Sequence, residues 1–468
     1  MPSEFPPGPD ESHRRLIELH VKTDFFGFLS TMNEKYGDFV RIPMDDITVY
    51  LVSRPEIVQE VFANDLAHYK KPDFILDFGL RYGDIKLSDE VWRRRSKVVR
   101  PAFLQHRVMK SAQTIIECTR EMMAGWKPGD LVEINKEMRN LRVRIAARTI
   151  FDAELEGFGD PAEAHLRSGV IPYTEAMGED FVVSPQEGGP PFASMVRRRS
   201  IQEDAELIDI IRSCYEARED RGDILSYLMQ ATYDDGTPMS FEEVTEELVL
   251  LFFSAHYTIP LVMTNLLYQL TQNPVVEESL HNELIQNLEG QAFGPDDLGR
   301  LPYGNMVVKE TLRMFPPAPI LYRELIEDTE LHGVPLKVGD YVLVYSHLLH
   351  FDARYFEDPH SFIPERFQSE RTKEISKHAY LPFGAGPRIC MGQALSMLEM
   401  RIVLATILED YRLEAVQGQT VEPKPHFVDG AEQSTWLRVV SREERVSTAP
   451  ERGISKDLGA PEQELSRA

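Results

Sequence analysis

The sequence contains 468 residues, 42% of them hydrophobic and 27% charged, which is the composition of an ordinary soluble globular protein. Its 76 acidic and 51 basic residues give a net charge of −25, and such a chain should be repelled by nucleic acid and by anionic membranes. Three cysteines are too few for a disulfide framework or a four-thiolate zinc site, so we expect reduced thiols and a cytoplasmic protein.

The N-terminal part of the sequence is predicted to combine short strands, a helix and an apolar loop. Alternating apolar residues favour strands over residues 39–42 and 47–52, and Pro55 suits the first turn of a helix that ends at residue 62. The loop at residues 70–84 carries several large apolar side chains, which would be unfavourable in water. We therefore expect this loop to line a pocket.

No part of the sequence predicts a signal peptide or a membrane anchor. Residues 1–37 lack a cationic segment followed by an apolar one. The best candidate for a membrane span, residues 248–263, is too short and has His256, Tyr257 and Pro260 at its centre. We expect this stretch to be a buried helix.

A short cluster of basic residues stands out in this acidic chain. Ser88 and Asp89 begin a predicted helix that carries Trp92, and five Lys or Arg residues fall within residues 93–100. Such a cluster is a solvated helix face, a docking patch for an acidic partner or a clamp for anionic groups. The sequence leaves these alternatives open.

One helix is predicted to run through the middle of the protein. Helical patterns dominate between residues 108 and 270, and Ser240 and Glu243 form a capping box before an almost entirely apolar stretch. A helix that is apolar on all sides has to be buried. It nevertheless contains Thr258 and Pro260, and the proline removes one helical hydrogen bond. We interpret this interruption as the wall of a cavity.

The C-terminal third alternates helices with short strands. A predicted helix over residues 303–314 carries Glu310 and Arg313 on one face. Residues 441–468 are polar, charged and proline-bearing, which predicts a disordered tail. Strands are predicted at residues 330–331, 336–338, 341–345, 411–415 and 436–440.

A single cysteine in this third lies among glycines. Cys390 follows Arg388, is flanked by Gly386 and Gly392, and precedes a predicted apolar helix over residues 394–408. Glycines around a cysteine indicate a tight loop that presents the sulfur to a bulky group at a helix N-terminus. The alternative is a simple turn at a helix start that happens to contain a cysteine.

Together these motifs resemble those of the cytochrome P450 family, the haem-thiolate monooxygenases, in its soluble bacterial type. Glu310 and Arg313 fit the family's Glu-x-x-Arg motif, and Arg366 lies in the segment whose arginine joins that pair. The cysteine stretch fits the family pattern through Phe383, Gly386, Arg388, Cys390 and Gly392. Because these motifs occur in the family's order and at its separations, chance agreement is not a reasonable explanation.

The resemblance implies a mainly α fold with a smaller β-rich part, forming one catalytic domain over residues 1–440 that binds haem b. Cys390 would be the thiolate ligand of the iron, and thiolate ligation favours O–O cleavage. Backbone N–H groups of the loop and the helix start would lower the pKa of this thiol. Further haem contacts would come from Arg388, Arg323, Trp92, Phe383, Gly386, Gly392 and Ala255.

Other parts of the resemblance concern the propionates, the core and the substrate pocket. Ser96 stands where the family usually has an arginine, four residues after Trp92, which puts that propionate contact in doubt. Glu310, Arg313 and Arg366 would form a buried structural network. The substrate pocket would be bordered by six apolar residues, Phe74, Leu76, Phe78, Ala318, Ile320 and Leu321.

The sequence departs from the family at the predicted oxygen-activating helix. The family usually has an acid followed by a threonine there, and this chain has Tyr257 followed by Thr258. A phenol with a reference pKa of about 10 relays protons less well than a carboxyl group near 4. Three interpretations follow: Thr258 and water suffice, proton delivery is rerouted, or the chemistry has changed towards peroxide use or a non-oxidative reaction.

We therefore expect a monooxygenase of secondary metabolism that inserts oxygen from O2 into a mid-sized hydrophobic molecule such as a terpenoid or steroid. No flavin or nicotinamide domain is visible, so electrons would come from a ferredoxin-type donor and its reductase, which could dock on the cluster at residues 93–100. The alternatives are a haem-thiolate isomerase, dehydratase or peroxygenase, and a haem-binding protein without enzymatic activity. No nucleic acid or membrane is expected as a partner.

Overall fold

The structure is a computed structural model that describes residues 5–10, 24–44, 47–72, 89–150, 209, 211–213, 215–216, 222–419 and 434–442. Its α-helices are α1 (Phe25–Tyr36), α2 (Pro55–Ala63), α3 (Asp65–His68), α4 (Asp89–Val99), α5 (Gln105–Val108), α6 (Ala112–Met123), α7 (Ile134–Ile150), α8 (Ile224–Gln230), α9 (Phe241–Gln272), α10 (Pro274–Leu288), α11 (Pro302–Met314), α12 (Ser346–His350), α13 (Ser369–Thr372) and α14 (Gln393–Asp410).

The strands are β1 (Phe39–Met44), β2 (Ile47–Val52), β3 (Tyr69–Lys70), β4 (Leu131–Glu133), β5 (Ile320–Leu325), β6 (Thr329–Leu331), β7 (Val334–Leu336), β8 (Tyr341–Tyr345), β9 (Tyr411–Ala415) and β10 (Trp436–Ser441). The largest sheet has the order β1-β2-β8-β5-β3, and within it β2 and β8 are parallel while the other pairs are antiparallel. A second sheet has the order β4-β10-β9, and β6 pairs with β7. The described residues are thus mainly helical with a smaller β-rich part.

The helical core is built around α9, which packs on α7, α11 and α14. Ser240 caps this helix: its hydroxyl accepts a hydrogen bond from the N–H of Glu243, whose carboxylate accepts one from the Ser240 N–H. The helix continues through Pro260, as part of a single span of 32 residues. Among the described residues, no helix combines the length and apolarity that crossing a membrane requires.

The structure corrects several predicted element bounds. Strand β5 was not predicted, and the strand expected at residues 336–338 is β7, two residues earlier. The reason is that residues 337–340 form a turn, in which the N–H of Lys337 donates to the Asp340 carboxylate at 3.0 Å and Gly339 has a φ of +86°. Ser441 belongs to β10 instead of the predicted tail, because it pairs with Tyr411.

Some predictions concern residues that the structure does not cover. The tail beyond Arg442 and the pocket residues Phe74, Leu76 and Phe78 lie outside the described residues. They remain predictions.

Candidate functional site

The loop around Cys390 is a tight turn closed by a backbone hydrogen bond. The N–H of Cys390 donates to the carbonyl of Phe383 at 3.0 Å, which brings the two ends of the loop together. Gly384 and Gly386 have φ angles of +75° and +70°, a region that residues with a Cβ rarely adopt. A Cβ on Gly386 would also lie 2.8 Å from the carbonyl oxygen of Phe62, at the end of α2. Glycine is therefore required at position 386.

The sulfur of Cys390 is presented at the start of α14. Cys390 keeps an exposed surface. The protein around it nevertheless desolvates the thiol, and this burial raises its pKa, while the backbone N–H groups of Gly392 and Gln393 and the charge of Lys71 act in the opposite direction. The N–H groups thus act in the predicted direction, but desolvation outweighs them and the net pKa of the thiol is raised. A cation bound to the sulfur would supply the missing stabilisation of the thiolate.

A group of buried charges lies beside the loop. The Arg323 guanidinium contacts Asp65 through Nε and through Nη2, the latter 3.0 Å from Oδ2, and the Arg388 Nε lies 3.9 Å from the same oxygen. The side chains of Arg323, Arg388 and Asp65 are 6%, 3% and 0% exposed. Lys71 lies within electrostatic reach of this group, because burial and the charges of Arg323 and Arg388 lower its pKa to about 8 while the charge of Asp65 acts in the opposite direction. Three cations thus face one carboxylate.

Aromatic rings fix the planes of both guanidinium groups. Arg388 lies over the ring of Trp92 with its Cζ 4.4 Å from the ring centroid, and Arg323 lies over Phe62 at 4.9 Å. Three cations and one carboxylate leave an excess of two positive charges beside an accessible sulfur. Such a site suits a group that contains a metal ion and also carries two negative substituents. The sequence analysis did not predict roles for Asp65 and Lys71, because neither residue belongs to a recognisable motif. The only signal near them is the lysine pair at residues 70–71, directly before the apolar loop.

The basic residues of the cluster at residues 93–100 contact different parts of the structure. Arg95 is buried and contacts α9, with its Nη1 2.6 Å from Glu246 Oε2. Arg93 donates to the carbonyl of Leu66 in α3, and Arg100 donates to the carbonyl of Pro387 in the cysteine loop. These three arginines hold elements around the site together.

The outer residues of the cluster are neutralised by a neighbouring acidic turn. Lys97 Nζ lies 3.0 Å from Asp234, and Arg94 lies 3.3 Å from Asp235. All four side chains are at least half exposed. Ser96 is buried, and its hydroxyl donates to the carbonyl of Arg93. The position four residues after Trp92, where an arginine is usual in the family, therefore holds a short side chain that is bonded to its own helix.

Thr258 lies in the middle of α9, as predicted. Its hydroxyl donates to the carbonyl of Ser254 at 3.0 Å, and the Ser254 hydroxyl donates to the carbonyl of Leu250. Both hydroxyl groups thus donate to backbone carbonyls of the helix, shortly before Pro260, which has no N–H of its own to donate. Ala255 and Tyr257 lie in the same helix, but their side chains are outside the described part of the chain.

Of the three remaining pocket candidates, Ile320 and Leu321 begin β5 and Ala318 lies two residues before it. Leu321 approaches the cysteine loop, since its Cδ2 would lie 3.8 Å from a Cβ on Gly384. Ile320 is buried in a different core cluster, and Ala318 is exposed. Because successive strand residues point to opposite faces, β5 does not bring Ile320 and Leu321 to one surface.

The predicted charged network behind the loop is confirmed. Arg313 Nε and Nη2 both lie 2.8 Å from the Glu310 carboxylate, and Arg366 Nε lies 3.1 Å from it. The side chains of Glu310 and Arg313 are 0% exposed. Such a network joins α11 to the segment that leads into the cysteine loop.

His350 extends this network and was not predicted. Burial lowers its pKa to about 3, so the ring is neutral. Its Nε2 accepts a hydrogen bond from the N–H of Leu381, which leaves the proton on Nδ1 to be donated to the carbonyl of Arg313 at 2.8 Å. The imidazole thus joins α11 to the chain just before Phe383.

Comparisons with known proteins agree with this arrangement. A family model described as cytochrome P450 matches residues 6–435. The chain is 32% identical to cyclooctatin synthase of Streptomyces melanosporofaciens, over 84% of this chain and 86% of that protein. It is 30% identical to cyclooctat-9-en-7-ol 5-monooxygenase of the same organism, over 82% and 84%. The fold is similar to that of the cytochrome P450DA haem domain, with a TM-score of 0.76 at 21% identity over 93% of this chain and 97% of that chain.

Proposed function

Because the chain belongs to the cytochrome P450 family of haem b-dependent monooxygenases, we propose that Cys390 provides the thiolate ligand of the haem iron. The observation that carries this proposal is the loop itself. It presents one accessible sulfur, with the N–H groups of Gly392 and Gln393 directed at it, beside a buried group of cations. A Cys390→Ser variant should lose the thiolate-shifted absorption band of the reduced carbon-monoxide complex, and retention of that band would contradict the assignment.

We assign the haem propionates to Arg323 and Arg388, with Lys71 as a third cation. Both guanidinium groups are buried and oriented by aromatic rings, and the excess of two positive charges matches two propionates. Trp92 acts by holding Arg388, and Gly386 acts by letting the loop approach α2. Phe383 closes the loop through its carbonyl group.

When bound, haem supplies the redox chemistry through which these enzymes use dioxygen and electrons from a redox partner. The chain's own contribution is to hold the sulfur, balance the propionate charges and place hydroxyl groups in α9. We propose that the Thr258 hydroxyl, now bonded to the Ser254 carbonyl, is the group that moves protons on the substrate side.

Two of the three interpretations of Tyr257 can be distinguished by substitution. Tyr257→Glu would restore the acid usual in the family, and Tyr257→Phe is the matched control without a titratable group. If Thr258 and water suffice, neither variant should change the coupling of electron consumption to product formation. If protons are rerouted through the phenol, Tyr257→Phe should increase uncoupling, whereas Tyr257→Glu, which keeps a titratable group, should not.

We propose a mid-sized hydrophobic substrate of terpenoid type. The relative named cyclooctat-9-en-7-ol 5-monooxygenase acts, by its name, on an unsaturated alcohol, and this chain is similar to it over 82% of its length. Leu321 and the apolar residues of the loop at residues 70–84, which we predict to line the pocket, support an apolar substrate. We also propose that residues 1–440 form one catalytic domain, in keeping with the family match over residues 6–435.

Substrate binding and turnover give the test of this function. The purified enzyme should show a substrate-induced shift of its haem absorption with terpenoids, and product formation should need dioxygen and incorporate labelled oxygen from it. Turnover without oxygen or a reductant would instead indicate an isomerase or dehydratase. A spectrum that responds to no member of a terpenoid and steroid library would favour a haem-binding protein without activity.

We propose that the electron donor is an acidic ferredoxin that docks at Arg94 and Lys97. Both side chains are at least half exposed, and their ion pairs with Asp234 and Asp235 lie at the surface, where the carboxylates of a partner can replace these two residues. Changing Arg94 and Lys97 to Gln should weaken turnover supported by ferredoxin and its reductase and leave peroxide-driven turnover unchanged. Equal loss of both activities would contradict docking at this surface.

A further inference from the structure

Asp65 is a fully buried carboxylate that belongs to none of the predicted motifs. It is the first residue of α3, and both of its oxygens accept hydrogen bonds from Arg323 in β5. Its Oδ2 also lies 3.9 Å from Nε of Arg388 in the cysteine loop. One carboxylate therefore joins three segments that are distant in sequence.

The position of Asp65 is itself fixed by the surrounding structure. Arg93 in α4 donates to the carbonyl of Leu66 at 2.7 Å, which ties α3 to the helix that carries Trp92. The third nitrogen of Arg323, Nη1, donates to the carbonyl of Tyr322 at 2.7 Å. All three nitrogens of Arg323 are thus engaged, two of them by Asp65.

We propose that Asp65 is a positioning residue that holds Arg323 and Arg388 in the orientation in which they bind the haem propionates. It also provides the third negative charge of the site. Lys71, Arg323 and Arg388 carry three positive charges, and two propionates would neutralise only two of them. This inference rests on the proposed propionate contacts and names the residue that makes them effective.

The effect of removing the charge has a definite sign under this proposal. Without the Asp65 carboxylate, one buried positive charge is left without a counter-ion, and the guanidinium groups repel each other. Haem should then be held less tightly. If Asp65 were only a negative neighbour of the propionates, its removal would reduce repulsion and haem would be held more tightly. The two cases give opposite results.

The measurement is the rate of haem loss from the holoenzyme to an excess of a haem-scavenging apoglobin. Asp65→Asn should accelerate haem loss about tenfold or more, as expected for losing charge-assisted hydrogen bonds. Asp65→Glu keeps the charge and should restore part of the retention. An unchanged or slower rate in Asp65→Asn would overturn the proposal.

A matched control separates positioning from general destabilisation. Glu399→Gln breaks another buried carboxylate–arginine pair, between Glu399 Oε2 and Arg142 Nη1 at 2.9 Å, with side chains 2% and 3% exposed. It should lower the stability of the fold to urea without a comparable acceleration of haem loss. If Glu399→Gln and Asp65→Asn accelerate haem loss equally, Asp65 has only a structural role.

A double-mutant cycle tests whether Asp65 acts through Arg323. Arg323→Gln alone should accelerate haem loss, and adding Asp65→Asn should accelerate it little further. The double variant removes both buried charges, so it gives a result even if Asp65→Asn fails to fold. If Arg323→Gln has no effect, the proposed propionate contact is wrong. If Arg323→Gln accelerates haem loss and Asp65→Asn multiplies that effect independently, the propionate contact stands and the positioning role is wrong.

Discussion

Gly386 offers the sharpest test of how the cysteine loop is held. An alanine there would have its methyl group 2.8 Å from the carbonyl oxygen of Phe62 and 3.1 Å from Phe62 Cβ, in a backbone conformation with a φ of +70°. Neither neighbour can move easily, because the oxygen is backbone and the Phe62 side chain is 2% exposed. The loop or the end of α2 has to shift.

Substitutions of two neighbouring glycines separate the cost of backbone strain from the cost of steric overlap. Gly384→Ala has a similar φ of +75° but only an ordinary contact at 3.8 Å with Leu321, so it should cost the conformational strain alone, about 1–2 kcal/mol. Gly386→Ala should cost that strain plus about 1–3 kcal/mol for the overlap. Gly392→Ala has neither feature, since its φ is −77° and its nearest neighbours are 3.9 Å away, and should cost only the loss of a favoured N-cap residue, about 0.5–1 kcal/mol.

The assay is urea unfolding of the three variants, combined with the fraction that retains the thiolate-shifted carbon-monoxide spectrum. We expect the free energy of unfolding and the fraction with the thiolate-shifted spectrum to fall least in Gly392→Ala, more in Gly384→Ala and most in Gly386→Ala. Equal losses for Gly384→Ala and Gly386→Ala would refute the reasoning, because the close approach to Phe62 would then have no energetic weight.

Further predictions concern the buried network and the acidic turn. Glu310→Gln should lower the free energy of unfolding by about 3–5 kcal/mol in urea, because it leaves buried arginines unpaired, and a loss below that of the exposed control Glu414→Gln would contradict this. The pKa of His350 is lowered from 6.5 to about 3, so the unfolded chain binds a proton that the folded chain excludes. Stability should fall as pH drops below 6.5, and His350→Gln should reduce this slope between pH 7 and 5, measured by urea unfolding. Changing Asp234 and Asp235 to Asn should tighten binding of an acidic ferredoxin, measured by titration at low salt, and weaker binding would argue against docking there.

The motifs that local spacing can reveal were predictable from the sequence. Cys390 with its glycines, the Glu310–Arg313 pair and the capping box at Ser240 each lie within a few residues, so periodicity and turn chemistry report on them directly. Arg366 was predictable only through the resemblance to a family.

The remaining parts of the site depend on contacts between distant residues. Asp65 meets Arg323 across 258 positions, and nothing near either residue indicates the pairing. Arg95 belongs to a basic cluster that suggests a surface, yet the fold directs it to the glutamates of α9. Ile320 and Leu321 are adjacent apolar residues, and only the strand geometry shows that they serve different faces.

The parallel pairing of β2 with β8 has a consequence for how the chain is made. Thr48 and Asp340, which are bonded at the ends of these strands, are 292 positions apart. At a synthesis rate of about 5–20 residues per second, β8 is synthesised roughly 15 to 60 seconds after β2. Tyr50, Leu51 and Val52 are almost completely buried in the finished protein, so during that time they are exposed on the nascent chain. We therefore expect that co-expressed chaperones will raise the yield of folded protein in a recombinant host.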